Sequence, residues 1–226
     1  MTEKVIACRR DNYGGRRKGT EYLVFHYTAG DGDTAEDNGT YFAREPVGAS
    51  AHWFVDETEA VLSVPEDHIA WHCGADRYLH PRCRNHNSIA VELCSRRDEN
   101  GNYHIPKKTL KNGQALGRML MKQYGIPVEN VLRHYDVTGK KCPAPLVEAG
   151  AWKEFLEELM RYDTAEMLPL WGRQTVEKLM EQGFLQGDGQ SLDLSRDMLR
   201  MLVILDRAGL FPDRPHTGGE NPATAR

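Results

Sequence analysis

The chain has 226 residues, 40% of them hydrophobic, enough to bury one sizeable core and leave material for a smaller second unit. Its formal net charge is -4, with 29 Lys+Arg against 33 Asp+Glu, so there is no overall positive field to hold nucleic acid or an anionic membrane surface. No apolar run approaches the ~18 residues of a membrane span, which excludes membrane insertion by a helix.

The N-terminus lacks the charged-then-apolar pattern of a secretory leader, which predicts synthesis in the cytoplasm without a signal peptide. The basic cluster Arg9, Arg10, Arg16, Arg17 and Lys18 reads as a solvated lead-in. The apolar run Leu23 to Phe25 predicts a buried strand ending at His26, followed by a turn-prone stretch from Ala29 to Asp33. Thr34 can cap a short helix carrying Tyr41 and Phe42, closed by Pro46 and Gly48. The segments His52 to Val55 and Ala60 to Val64 read as a hairpin.

From Ser88 to Leu93 the pattern alternates, with Ile89, Val91 and Leu93 on one face and Ser88, Ala90 and Glu92 on the other. A helix is predicted from about Thr109 to Tyr124, stopped by Gly125 and Pro127. Val131 and Leu132 then form a short strand running into His134. Trp152, Phe155, Leu156, Leu159 and Met160 share one face of an amphipathic helix that should pack on the sheet.

Composition shifts after Tyr162. Residues 1–162 are therefore read as the main domain, 163–169 as a linker and 170–211 as a small helical module. In that module a helix beginning near Trp171 carries Val176, Leu179 and Met180. A second helix, capped by Ser195, carries Leu199, Leu202, Val203 and Leu205. Two short helices make a marginal core, so the module should dock on its neighbour or pair with another copy as a homodimer. Residues 212–226 read as a disordered tail.

Five cysteines, Cys8, Cys73, Cys83, Cys94 and Cys142, are too few and too irregular for a disulfide framework, and the odd count leaves a thiol needing another explanation. A hydrolytic zinc ion takes three protein ligands and keeps one position for water, and imidazole with thiolate suits it. His26 and His134 each end a predicted strand, and Cys142 lies eight residues beyond His134 across a loop. Spacing alone does not decide the matter, because a lone strand histidine is more often a hydrogen-bonded core residue. Taken alone, Glu92 reads more readily as an exposed strand carboxylate and Lys140 as a solvated loop residue.

Sequence context changes the weighting. Phe25-His26-Tyr27-Thr28-Ala29 and His134-Tyr135-Asp136-Val137-Thr138-Gly139-Lys140-Lys141-Cys142-Pro143 resemble the type 2 N-acetylmuramoyl-L-alanine amidases, which share the peptidoglycan recognition protein fold. Ala70-Trp71-His72-Cys73-Gly74, Ser50-Ala51-His52-Trp53-Phe54-Val55-Asp56 and Ser88-Ile89-Ala90-Val91-Glu92-Leu93 match further stretches of that family in order. The similarity runs from about Gly19 to Leu156 and most resembles endolysins of phages and prophages of Gram-positive bacteria.

The resemblance implies an α/β fold with a mixed central sheet flanked by helices, and a Zn2+ ion held by His26, His134 and Cys142. It implies Glu92 as the catalytic acid and base and Lys140 as a lysine near the metal. It also implies bacterial peptidoglycan as substrate, cut between N-acetylmuramic acid and L-alanine at the cell wall after release. Ala51 stands where many relatives carry a tyrosine, which places the burden of proton transfer on Glu92. Trp71 and His72 are expected to bind substrate along the groove, Trp71 reading equally as a core residue. Cys73 and Cys83 are free thiols or a bridged pair. The C-terminal module weakly resembles surface-layer-homology or endolysin tail modules, which implies wall tethering or self-association. A non-catalytic peptidoglycan-binding protein of the same fold is the alternative, and Cys142 argues against it.

Overall fold

The computed structural model describes residues 1–187 and 191–211, so the tail expected over 212–226 lies outside the described residues. By contacts the chain divides into two compact units, Met1–Leu159 and Met160–Arg226. In chain order the first holds β1 (Thr2–Val5), β2 (Tyr13–Arg16), β3 (Tyr22–Tyr27), α1 (Ala35–Arg44), β4 (Trp53–Val55), β5 (Glu59–Leu62), β6 (His68–Ala70), β7 (Ser88–Leu93), β8 (Arg96–Arg97), β9 (Tyr103–His104), α2 (Lys107–Tyr124), β10 (Val131–Arg133), α3 (His134–Thr138) and α4 (Ala149–Leu159).

Six strands form one mixed sheet in the order β1-β5-β4-β7-β3-β10, parallel throughout except for the β4–β5 hairpin. The hairpin turns on Asp56. Its Oδ1 accepts from the Thr58 and Glu59 backbone N–H groups, and its Oδ2 accepts from Ala35 N at the start of α1. Thr34 caps α1 as expected, in a capping box with Asp37.

The two faces of the sheet divide the labour. Leu23, Phe25, Ile89, Val91 and Leu93 point to one side and form the main core with Leu116 and Leu120 of α2 and Phe155 and Leu159 of α4. The approach of α2 depends on Gly113, where an added Cβ would sit 2.4 Å from Leu93 Cδ2. The helix ends at Gly125, left-handed with φ 64, the stop expected from sequence. On the opposite face lie Tyr22, Val24 and His26 of β3 and Ser88, Ala90 and Glu92 of β7.

That second face is buried too, apart from its end at Glu92: Val24 packs with Cys73, Cys83, Leu132 and Val137, while Ala90 packs with Ala35, Ala51, Phe54 and Cys94. Central parallel strands covered on both sides explain why the period-two pattern of 88–93 holds no solvated face.

The second unit contains α5 (Leu170–Glu181) and α6 (Arg196–Arg207). Leu168, Val176, Leu192, Leu194 and Leu199 form its own core, with Tyr162 and Ala165 packed against it. Ser195 caps α6, accepting from Met198 N. Met198, Met201 and Ile204 leave an exposed apolar stripe along that helix.

Candidate metal centre

Strand register builds the site. Across β3 and β7, His26 is paired with Glu92, and both project from the same face. Glu92 Oε1 lies 4.0 Å from His26 Nδ1. On the other flank of β3, β10 pairs Arg133 with Phe25, which delivers the next residue, His134, beside His26. The two imidazole centroids are 4.7 Å apart.

His134 opens α3, a short helix that the sequence reading leaves undivided from the preceding strand. Its start is fixed by Asp136, whose Oδ2 accepts from Arg133 N while its carboxylate pairs with the Arg133 guanidinium at 2.7 Å. The helix ends at Gly139 and the chain folds back, Tyr135 N donating to Cys142 O at 2.8 Å. Cys142 Sγ thereby reaches 3.7 Å from His26 Nδ1. His26 Nδ1 is thus the ring nitrogen turned towards the cluster.

One donor atom each from His26, His134 and Cys142 lies within 4.8 Å of the others, and all three residues are buried. Such a cluster could hold a metal ion. Glu92 stands beside it with 21% of its side chain exposed, and its Oε2 has no hydrogen-bond partner among the described residues. A cavity over the cluster is lined by His26, Trp71, His72, Glu92, His134 and Lys140, with a second opening lined by Trp71, His72, His134 and Lys140 beside it.

The protein holds these groups in their uncharged forms at neutral pH. Burial, followed by His72, His134 and Lys140, keeps His26 well below the usual imidazole range, and burial with Lys140 brings His134 down to about 4. Burial and the Glu92 carboxylate push the Cys142 thiol up to about 12, against a hydrogen bond from the Tyr27 backbone. Burial pushes Glu92 up to about 8, opposed by Lys140. A cation placed there favours the thiolate and carboxylate forms, so its arrival displaces protons.

The resemblance read from sequence meets an independent test in the family match: residues 16–145, more than half of the chain, match the family described as N-acetylmuramoyl-L-alanine amidase. The chain belongs to that family. Among the amidase relatives, CwlL of Bacillus licheniformis is 38% identical over 144 residues, covering 59% of this chain and 39% of CwlL. BlyA of Bacillus subtilis strain 168 is 34% identical, again covering 59% of this chain and 39% of the relative. The chain spans less than half the length of these curated relatives. The catalytic domain of XlyA is similar in structure, with TM-score 0.58 at 27% identity, covering 69% of this chain and 97% of that one. PlyL gives a TM-score of 0.57 at 28% identity, covering 70% and 97%. The amidase fold expected from sequence is therefore present, a mixed central sheet flanked by helices.

Other residues singled out from sequence fall as follows. Trp71 is 37% exposed on the cavity wall, its backbone N–H donating to Ser50 Oγ at 2.9 Å. His52 is fully buried and away from the donor cluster, its Nδ1 accepting from Ala90 N while Nε2 lies 3.0 Å from His68 O. All five cysteines, each among the described residues, are free thiols, so Cys73 and Cys83 are not bridged. The sequence reading misses Asn12, a fully buried residue that anchors the loop leading to Ser50, and only hydrogen-bond geometry reveals it.

Proposed function

We propose that the chain hydrolyses the amide between N-acetylmuramic acid and L-alanine in bacterial peptidoglycan, using Zn2+ held by His26, His134 and Cys142. The convergence of these three buried donors beside Glu92 is the observation that carries the reading. Ligand atoms of a tetrahedral zinc site with bonds of about 2.0–2.3 Å stand about 3.5 Å apart. The 3.7 Å from Cys142 Sγ to His26 Nδ1 fits that separation, and two imidazoles with one thiolate suit zinc over harder ions. Three protein donors leave a fourth position for solvent, the arrangement of a catalytic zinc site.

When bound, zinc supplies polarisation of the scissile carbonyl and acidification of water. Glu92 takes the proton of the attacking water on its carboxylate and returns it to the L-alanine nitrogen as the carbon–nitrogen bond breaks. The Lys140 ammonium, on the cavity rim, stabilises the oxyanion that develops on the carbonyl oxygen. Trp71 offers an aromatic face to the glycan or stem. Both ring nitrogens of His72 have partners in the protein, at His26 Nε2 and Ser88 Oγ, so its ring edge and face remain for substrate. The non-catalytic alternative has no use for a buried thiol and a carboxylate at the donor cluster.

We place the chemistry in residues 1–162, with 163–169 as the linker to the helical module 170–211, and read the protein as an endolysin or autolysin made in the cytoplasm and acting at the wall. The exposed Met198, Met201 and Ile204 give that module a surface for wall binding or for a homodimer. Replacing Met201 and Ile204 with lysine separates these roles by wall pelleting and sedimentation. If neither measurement changes, the stripe has neither role.

The activity is tested by incubating purified cell wall with the protein, with and without a zinc chelator, and identifying the new amino terminus. A free L-alanine amine that disappears with the chelator is expected. A different new terminus, or a new reducing sugar, would overturn the assignment.

A further inference from the structure

His26 presents Nδ1 to the donor cluster, so its Nε2 points away from it, and that nitrogen lies 3.0 Å from Nδ1 of His72. His72 in turn places its own Nε2 2.9 Å from Ser88 Oγ, and the Ser88 hydroxyl donates to the Arg84 carbonyl at 2.7 Å. The His26 and His72 rings meet nearly edge-on, at an interplanar angle of 87°. Ser88 is fully buried as the first residue of β7, and Asn85 Oδ1 accepts from both His72 N and Cys73 N, which fixes the loop carrying the second imidazole.

Resting on the zinc reading above, we propose that His72 is a positioning residue that locks His26 in the tautomer able to bind the metal through Nδ1. A metal-bound Nδ1 carries no proton, so His26 Nε2–H must donate, and His72 Nδ1 is the acceptor it faces. That role forces the proton of neutral His72 onto Nε2, where it donates to Ser88 Oγ. The serine hydroxyl passes the constraint on by donating to a backbone carbonyl that has no alternative but to accept. Every donor along His26, His72, Ser88 and Arg84 therefore finds one acceptor in a single direction. Reversing the order would put a proton on His26 Nδ1 and close that nitrogen to metal.

Zn2+ affinity of the full chain, measured by chelator competition, tests the role together with the apoprotein Tm. His72→Phe keeps a flat ring but no acceptor and is expected to weaken zinc binding about 10- to 100-fold, as loss of an outer hydrogen-bond partner does. His72→Asn places an amide oxygen where Nδ1 was and should recover most of that loss, which a purely space-filling role would not allow. Ser88→Ala should give a smaller loss. Histidine proton–nitrogen correlation spectra of the unmutated, zinc-loaded protein give a readout that no variant's folding can disturb, and both His26 and His72 are expected as Nε2–H tautomers. A proton on His72 Nδ1, or a His72→Phe protein that binds zinc as tightly as the parent, overturns the positioning role while leaving the zinc site intact. A parent protein that takes up no zinc removes the underlying reading, and this one with it.

Discussion

His26 and Glu92 are register partners on adjacent parallel strands, side by side on one face, with Glu92 Oε1 4.0 Å from His26 Nδ1. The proposed ligand and the proposed proton carrier are thus set by one backbone ladder between two inner strands of the sheet. Glu92→Gln keeps the shape but cannot carry the proton. It should retain zinc and lose about 10²- to 10⁴-fold in kcat. Metal content and rates on purified wall check both halves, and an active Glu92→Gln protein would remove Glu92 from the chemistry.

Metal uptake should release protons in a pH-dependent number. Cys142, held up at about 12, is a thiol throughout the neutral range and releases one proton to the buffer on metal binding, while Glu92, at about 8, releases a second only below that pH. Cation binding favours both deprotonated forms, so affinity rises with pH. Titration calorimetry in buffers of different ionisation enthalpy should count about two protons near pH 6, one from Cys142 and one from Glu92. In Glu92→Gln the count near pH 6 should fall to about one.

Much of this centre was legible in the sequence because its residues sit at the ends of strands with clear apolar signatures, so His26, Glu92 and His134 could be placed before their contacts were known. The chain order of motifs carried the rest of the ligand set. The short strands β1, β2, β6, β8 and β9 were not legible: the first is exposed throughout, and the others have two to four residues and pair in small ribbons that leave no period. His72 read as a groove residue because nothing in its spacing shows that a loop from β6 returns its ring to His26 Nε2.

Asn12 ties the N-terminal segment to the loop after α1. Its Nδ2 donates to Phe42 O and Glu45 O at 3.1 and 2.7 Å, and its Oδ1 accepts from Val47 N and Gly48 N. Asn12→Ala removes all four of these hydrogen bonds from a fully buried side chain and should destabilise the domain by about 2–4 kcal/mol. Urea unfolding followed by circular dichroism measures it. A loss below about 0.5 kcal/mol would mean that water replaces the amide.

Trp71 should act on substrate binding and leave turnover alone. Trp71→Ala removes an aromatic face from the cavity wall, worth about 1 kcal/mol, or roughly fivefold in KM for wall fragments. Full kinetics on soluble fragments decide it, and a fall in kcat at unchanged KM would place Trp71 in the reaction itself.

X-ray absorption at the zinc edge of the metal-loaded full chain is the most direct measurement of the centre. One sulfur at about 2.3 Å and two imidazole nitrogens at about 2.0–2.1 Å, with one further light atom, are expected, the sulfur vanishing in Cys142→Ser. A shell with no sulfur, or six oxygen ligands, would contradict a centre built from His26, His134 and Cys142.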